Sequence, residues 1–96
     1  MPTIALTEKA RSDLLGIHER YVSCADIKTA NDIIFHIFDK LQQLEVFTEM
    51  GRPTERTGVR ELVFSRYPFL APYQVEGNQV QVLRIHHHRT ERISRD

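Results

Sequence analysis

Cysteine, glycine, proline and long apolar runs are all scarce in this sequence, and each scarcity removes a class of protein. One cysteine, Cys24, cannot close a disulfide within the chain, which fits a reducing cytoplasm. No apolar stretch is long enough to span a bilayer, and the opening MPTIALTEKARSD meets a charge at Glu8 before a secretory core could form. A cytoplasmic protein without membrane association is expected. With four glycines, four prolines and 41% of residues hydrophobic, the chain reads as folded, neither disordered nor fibrous. Repeats and low-complexity segments are absent. Ninety-six residues suffice for one core and not for two, so a single domain over residues 1–96 is expected.

Lysine is missing from the whole stretch after Lys40, and this gives the neutral net charge an internal structure. Residues 1–50 carry five Lys/Arg against eight Asp/Glu, a balance of −3, and residues 51–96 carry eight against five, a balance of +3. The cationic half is arginine alone. Arginine offers planar forked contacts to carboxylate or phosphate, whereas lysine is a mobile point charge. Such a surface suits an acidic protein partner at least as well as nucleic acid, and scattered solvated charge is the plain alternative.

Periodicity sets the order of elements. TIALT alternates Ile4 and Leu6 with polar neighbours and reads as a strand, after which Thr7 is placed to cap a helix. In EKARSDLLGIHERYV, the residues Ala10, Leu14, Ile17 and Tyr21 line one helical face. Ser23 and Asp26 resemble a capping box opening a second helix, whose buried stripe is Ile27, Ala30, Ile34, Ile37, Leu41 and Leu44, widened by Ile33 and Phe38. So short a link makes the two helices an antiparallel hairpin. FTEMGRPTERTG, residues 47–58, reads as a polar loop. VRELVFS and FLAPYQV read as strands, the latter with Pro72, which belongs at an edge, a bulge or a non-bonding site. Gly77-Asn78 signals a hairpin turn into a last strand, QVQVLRIHH. The expectation is an α+β fold of order β-α-α-β-β-β, with the helical hairpin on one face of a small, antiparallel-rich sheet.

The run HHH at 86–88 is the most conspicuous chemistry. Unbroken strand alternation puts Val80, Val82, Arg84, His86 and His88 on one face and Leu83, Ile85 and His87 on the other, which divides the trio. A metal would have only His86 and His88 to use, and neither CxxC nor HExxH supplies further ligands, so neither metal nor cofactor is expected. Cys24 has no nucleophile signature around it and no GxSxG stretch exists. A metal-free ribonuclease needs only an acid, a base and cations, which Arg60, Tyr73, Arg84 and His86 could supply from one sheet. The alternative is that Arg60 and Arg84 pair with carboxylates, a partner's or those of Glu61 and Glu76.

The residues Gly51-Arg52, Gly58, Arg60-Glu61-Leu62, Pro68-Phe69, Tyr73, Gly77, Leu83-Arg84-Ile85, His87 and Arg89, taken in order, resemble the RelE/ParE superfamily of toxins from bacterial toxin–antitoxin modules. LTEKARSDLLGIHERY resembles the first helix of that superfamily, so the likeness covers nearly the whole chain. VREL…YPF, VLRIHHHR and the missing lysines place the resemblance nearer the ParE branch.

That resemblance implies the β-α-α-β-β-β fold already read from periodicity. It also implies a cognate antitoxin, often with a DNA-binding N-terminal domain, whose C-terminal segment wraps the toxin. On the ParE branch it implies inhibition of DNA gyrase by protein contact without enzymatic activity. On the RelE branch it implies cleavage of mRNA in the ribosome, with His86 or His87 as acid or base, Arg60 and Arg84 on phosphate, and Tyr73 beside them. Pro72 and Gln74 depart from the family pattern, and a non-toxic antitoxin-binding module is a third expectation. The partner-binding residues expected are Arg60, Val80, Val82, Arg84, His86 and Arg89, with Val80, Val82 and Arg84 lining an exposed groove on the sheet face turned from the helices. His87 is expected to be partly buried and structural.

Overall fold

A computed structural model describes residues 3–64 and 66–87. Strand β1 (Thr3–Leu6) leads into α1 (Glu8–Cys24), α2 (Ile27–Gln42) follows a tight link, and a 3₁₀ turn (Gln43–Glu45) ends the hairpin. The strands β2 (Arg52–Pro53), β3 (Val59–Val63), β4 (Phe69–Glu76), β5 (Gln79–Val82) and β6 (His86–His87) complete the fold. The architecture is α+β, two helices packed on a mixed, mostly antiparallel sheet. No helix among the described residues is long and apolar enough to cross a membrane.

Each helix starts where a side chain can replace the missing turn. Thr7 Oγ1 accepts the Ala10 N–H at 3.1 Å, and Asp26 Oδ1 accepts the Thr29 N–H at 2.8 Å. The expected Ser23–Asp26 box is therefore corrected: α1 runs on through Ser23 to Cys24, and Asp26, with extended backbone, is itself the cap. α1 buries Ala10 and Leu14 and half-buries Ile17 and Tyr21. In α2 the buried stripe is Ala30, Ile33, Ile37 and Leu41, continued by Leu44, so Ile33 is central while Ile27 and Phe38 lie outside it, exposed. One extra helical step rotates the stripe away from Ile27.

The sheet order is β1-β5-β4-β3-β2, with β6 paired to the first residues of β4. β1 runs parallel to β5, and every other pairing is antiparallel. Leu14, Ile33, Ile37 and Leu41 meet Leu62, Phe64, Phe69, Ala71, Tyr73, Val80, Val82 and Ile85 in one core. Gly77 turns the β4–β5 hairpin with a φ of 57°, in the left-handed region that the absence of a Cβ makes accessible.

The last strand is not continuous. Tyr73 pairs with Val82 and Phe69 with His87, so four steps along β4 face five steps along the chain opposite. The extra residue is a bulge, and it lies opposite Pro72. The Leu83 N–H donates to the Pro72 carbonyl at 2.8 Å, but proline has no N–H to return the bond. The orphaned Leu83 carbonyl accepts the Thr7 hydroxyl at 2.8 Å instead. Past the bulge the alternation changes phase, so Val80, Val82 and Ile85 all face the core. Val80 and Val82 are fully buried, which overturns the groove they were expected to line.

Candidate functional site

The sequence-predicted site residues fall into two groups, and the fold keeps them apart. Arg60 on β3 and Tyr73 on β4 are direct cross-strand partners whose side chains rise on the helix side at one end of the sheet. There they grip the segment after the 3₁₀ turn. The Tyr73 hydroxyl donates to the Thr48 carbonyl at 2.8 Å and accepts the Gly51 N–H at 2.9 Å. Arg60 Nη1 donates to the Gly51 carbonyl at 2.7 Å and, more weakly, to that of Glu49 at 3.4 Å. Burial pushes the Tyr73 phenol above 10.0, against the opposing effects of the Gly51 N–H and the Arg60 charge, so it remains a neutral donor. Gly51 fits against this tyrosine because it has no Cβ: one built there would lie 2.6 Å from the Tyr73 ring.

The second group surrounds the bulge. Arg84 Nε and Nη2 donate to the two carboxylate oxygens of Asp13 on α1, at 2.8 and 3.2 Å, and the Ile85 N–H donates to Asp13 Oδ2 at 3.0 Å. Partial burial alone would push the Asp13 carboxyl up, but the hydrogen bonds from Arg84 and Ile85 and the charges of Arg84 and His86 hold it below the ordinary 3.8. Because this pKa is depressed on folding, its contribution to stability is complete above pH 3.8 and disappears as the pH falls through the lower folded value. Asp13→Asn is expected to lose about 1 kcal/mol at neutral pH, a partly exposed ion pair plus one backbone hydrogen bond. Urea titrations at pH 7 and pH 3 should show that loss shrinking in acid, as protonation of the wild-type carboxylate weakens the same interaction.

His87 is half-buried and stacks on Phe69, centroids 4.7 Å apart. His86 is exposed, with one long contact from Nδ1 to the His87 carbonyl oxygen at 3.4 Å. Glu61 pairs with Arg52 at 2.8 Å, not with Arg60, and Gln74 donates to Gln81 across the outer face at 3.2 Å. His88 and Arg89 lie outside the described residues.

Among the described residues, most of the exposed large apolar side chains, Leu15, Val22, Ile27, Phe35 and Phe38, lie on the helices, with Val63 and Val75 on the sheet and Val46 and Phe47 after the 3₁₀ turn. A groove between α1 and α2 is lined by Leu6, Leu14, Leu15, Ile34 and Phe38, with Arg11 at its rim and a His18–Asn31 hydrogen bond of 2.8 Å across it. Periodicity marked Leu14 and Ile34 as core, and the exposed Leu15 alongside them was the one available sign of this groove.

The family model described as ParE toxin of type II toxin–antitoxin system, parDE, matches residues 4–92. The chain belongs to the ParE toxin family. It is thus the toxin component of a type II module. Among solved structures, a chromosomal ParDE toxin–antitoxin system from P. aeruginosa is 35% identical, with a TM-score of 0.84 over 91% of this chain and 96% of that one. A RelBE toxin–antitoxin complex from Mycobacterium tuberculosis shares the fold at 21% identity, TM-score 0.57, over 92% of this chain and 100% of that one. A conserved hypothetical protein from Helicobacter pylori does so at 19% identity, TM-score 0.53, over 92% and 96%. No curated protein sequence matches. Within the ParE pattern, Gly51, Arg60 and Tyr73 form one clamp, although 22 residues separate Gly51 from Tyr73. Nothing local in the sequence announces that they meet.

Proposed function

We propose that this ParE-family toxin acts on DNA gyrase by protein contact and is neutralised by a cognate antitoxin. The observation that carries the reading is the division of the ribonuclease set. Arg60 and Tyr73 are engaged with backbone at one end of the sheet, and Arg84 is engaged with Asp13 at the bulge. Metal-free phosphodiester cleavage needs an acid, a base and a cation within hydrogen-bond reach of one phosphate, and these three side chains offer no such convergence. His86, exposed beside the Arg84–Asp13 pair, and Arg84's exposed edge are left as contact residues. The likeness to the P. aeruginosa ParDE system supports an antitoxin partner.

The interhelical groove replaces the Val80–Val82 face as the docking surface for that antitoxin. Its apolar floor and the Arg11 guanidinium at its rim fit an amphipathic segment carrying carboxylates, laid along the hairpin. Purified toxin incubated with gyrase and relaxed plasmid is expected to block supercoiling or trap cleaved DNA, and to leave mRNA intact in a translating extract. Unaffected gyrase at excess toxin, together with cut mRNA, would reverse the assignment in favour of the ribonuclease.

A further inference from the structure

Among the described residues, the most exposed apolar pair of neighbours outside the helices is Val46-Phe47, each 61% accessible, directly after the 3₁₀ turn. An exposed aromatic on a loop is ordinary when the loop is loose. This loop is held from several sides. The Phe47 N–H bonds back to the Gln43 carbonyl at 2.9 Å, and the Met50 N–H bonds to the Phe47 carbonyl at 3.0 Å. From below, Tyr73 holds Thr48 and Gly51 while Arg60 holds Gly51. Met50 packs against the core from the same loop.

A clamp of this kind fixes the backbone that presents two apolar side chains to water. The backbone that carries them is ordered before any partner arrives, which removes part of the entropy that association otherwise consumes. Rigid aromatic knobs seated in a pocket are the residues that dominate protein interfaces. The shape is opposite to that of the interhelical groove: a groove receives a segment that wraps, and a knob enters a pocket on a folded surface. Glu45 and Glu49 bracket the pair, so the complementary pocket has a cationic rim. Cationic surface is what a DNA-handling enzyme displays.

We infer that Val46-Phe47 is the anchor by which this toxin engages a folded protein target, inserting into an apolar pocket rimmed by lysine or arginine. The inference rests on the reading that the toxin acts by protein contact. Phe47→Ser in the full chain, compared with wild type for gyrase inhibition, growth arrest on induction and thermal midpoint, tests it. The variant should need at least about tenfold more protein for half-inhibition of supercoiling, with an unchanged midpoint. Equal inhibition by variant and wild type overturns the anchor and leaves gyrase as the target. If wild type arrests growth without touching gyrase and the variant does not arrest, gyrase is the wrong target and the anchor stands. If both arrest growth equally without touching gyrase, or if wild type does neither, the anchor and the gyrase reading fall together. Should Phe47→Ser unfold, Glu49→Lys carries the same comparison: a rise of at least about threefold in the amount needed supports the cationic rim, and no change refutes it.

Discussion

Gly51→Ala is expected to destabilise the fold by about 3 kcal/mol, the upper end of what overpacking a well-ordered interior costs. The added methyl would lie 2.6 Å from Tyr73 Cε1, 2.8 Å from its hydroxyl and 2.9 Å from the Glu61 carbonyl. Neither neighbour can yield easily. Tyr73 is fully buried among core side chains, and the carbonyl belongs to β3, inside the sheet. Relief would come by lifting the loop, which breaks the Gly51 N–H bond to Tyr73 and the Arg60 bond to the Gly51 carbonyl together. A chemical-denaturation midpoint compared with wild type measures the loss. A change below about 1 kcal/mol would mean that the loop moves freely and that the clamp is weaker than its geometry implies.

Tyr73→Phe keeps the ring and removes the hydroxyl that serves as donor to Thr48 and acceptor from Gly51. The Gly51 N–H is then left buried without its partner, and the expected loss is about 2 kcal/mol. The pH dependence gives an independent check. Burial raises the phenol's pKa on folding, so its contribution is complete below the ordinary 10.0 and is lost as pH rises through the folded value. Wild type should therefore lose stability in strong alkali that the phenylalanine variant does not lose, which stability measured at pH 8 and at pH 11 would reveal. Because Gly51 and Tyr73 touch, the two substitutions should not add: the double variant is expected to be at least 0.5 kcal/mol less damaged than the separate losses together, on the order seen for contacting pairs.

The helices were legible because their information is local. Ala10, Leu14, Ile37 and Leu41 repeat at helical spacing, and Thr7 caps the turn that follows it. The Gly77 turn was legible for the same reason, since a positive φ leaves a glycine behind. The faces of the last strand were not. Alternation through QVQVLRIHH looks unbroken, and the cause of the break, Pro72, lies on the neighbouring strand. Val80 and Val82, ahead of the bulge, already face the core; past it the phase shifts, so Ile85 joins them and Arg84, exposed at the bulge, reaches Asp13 on α1. The partners of Arg60 and Tyr73 were hidden for a similar reason. Arginine, tyrosine and histidine are the residue types of phosphate chemistry and equally those that fasten loops, and only their partners tell the two uses apart. Arg60 and Tyr73 find carbonyls, so their chemistry is that of a fastening.

The Thr7 hydroxyl caps α1 and closes the carbonyl left open by Pro72, joining two points 76 residues apart. β1 likewise has no neighbour until β5 arrives, and their pairing is parallel. Contacts so distant along the chain delay folding, because the loop between them must close before they repay its entropy. During synthesis, the first strand therefore waits for residues near the other end before it can dock. A chain interrupted before Gln79 has no sheet partner for β1 and no carbonyl for the Thr7 hydroxyl. The first strand to be made is thus among the last to be paired.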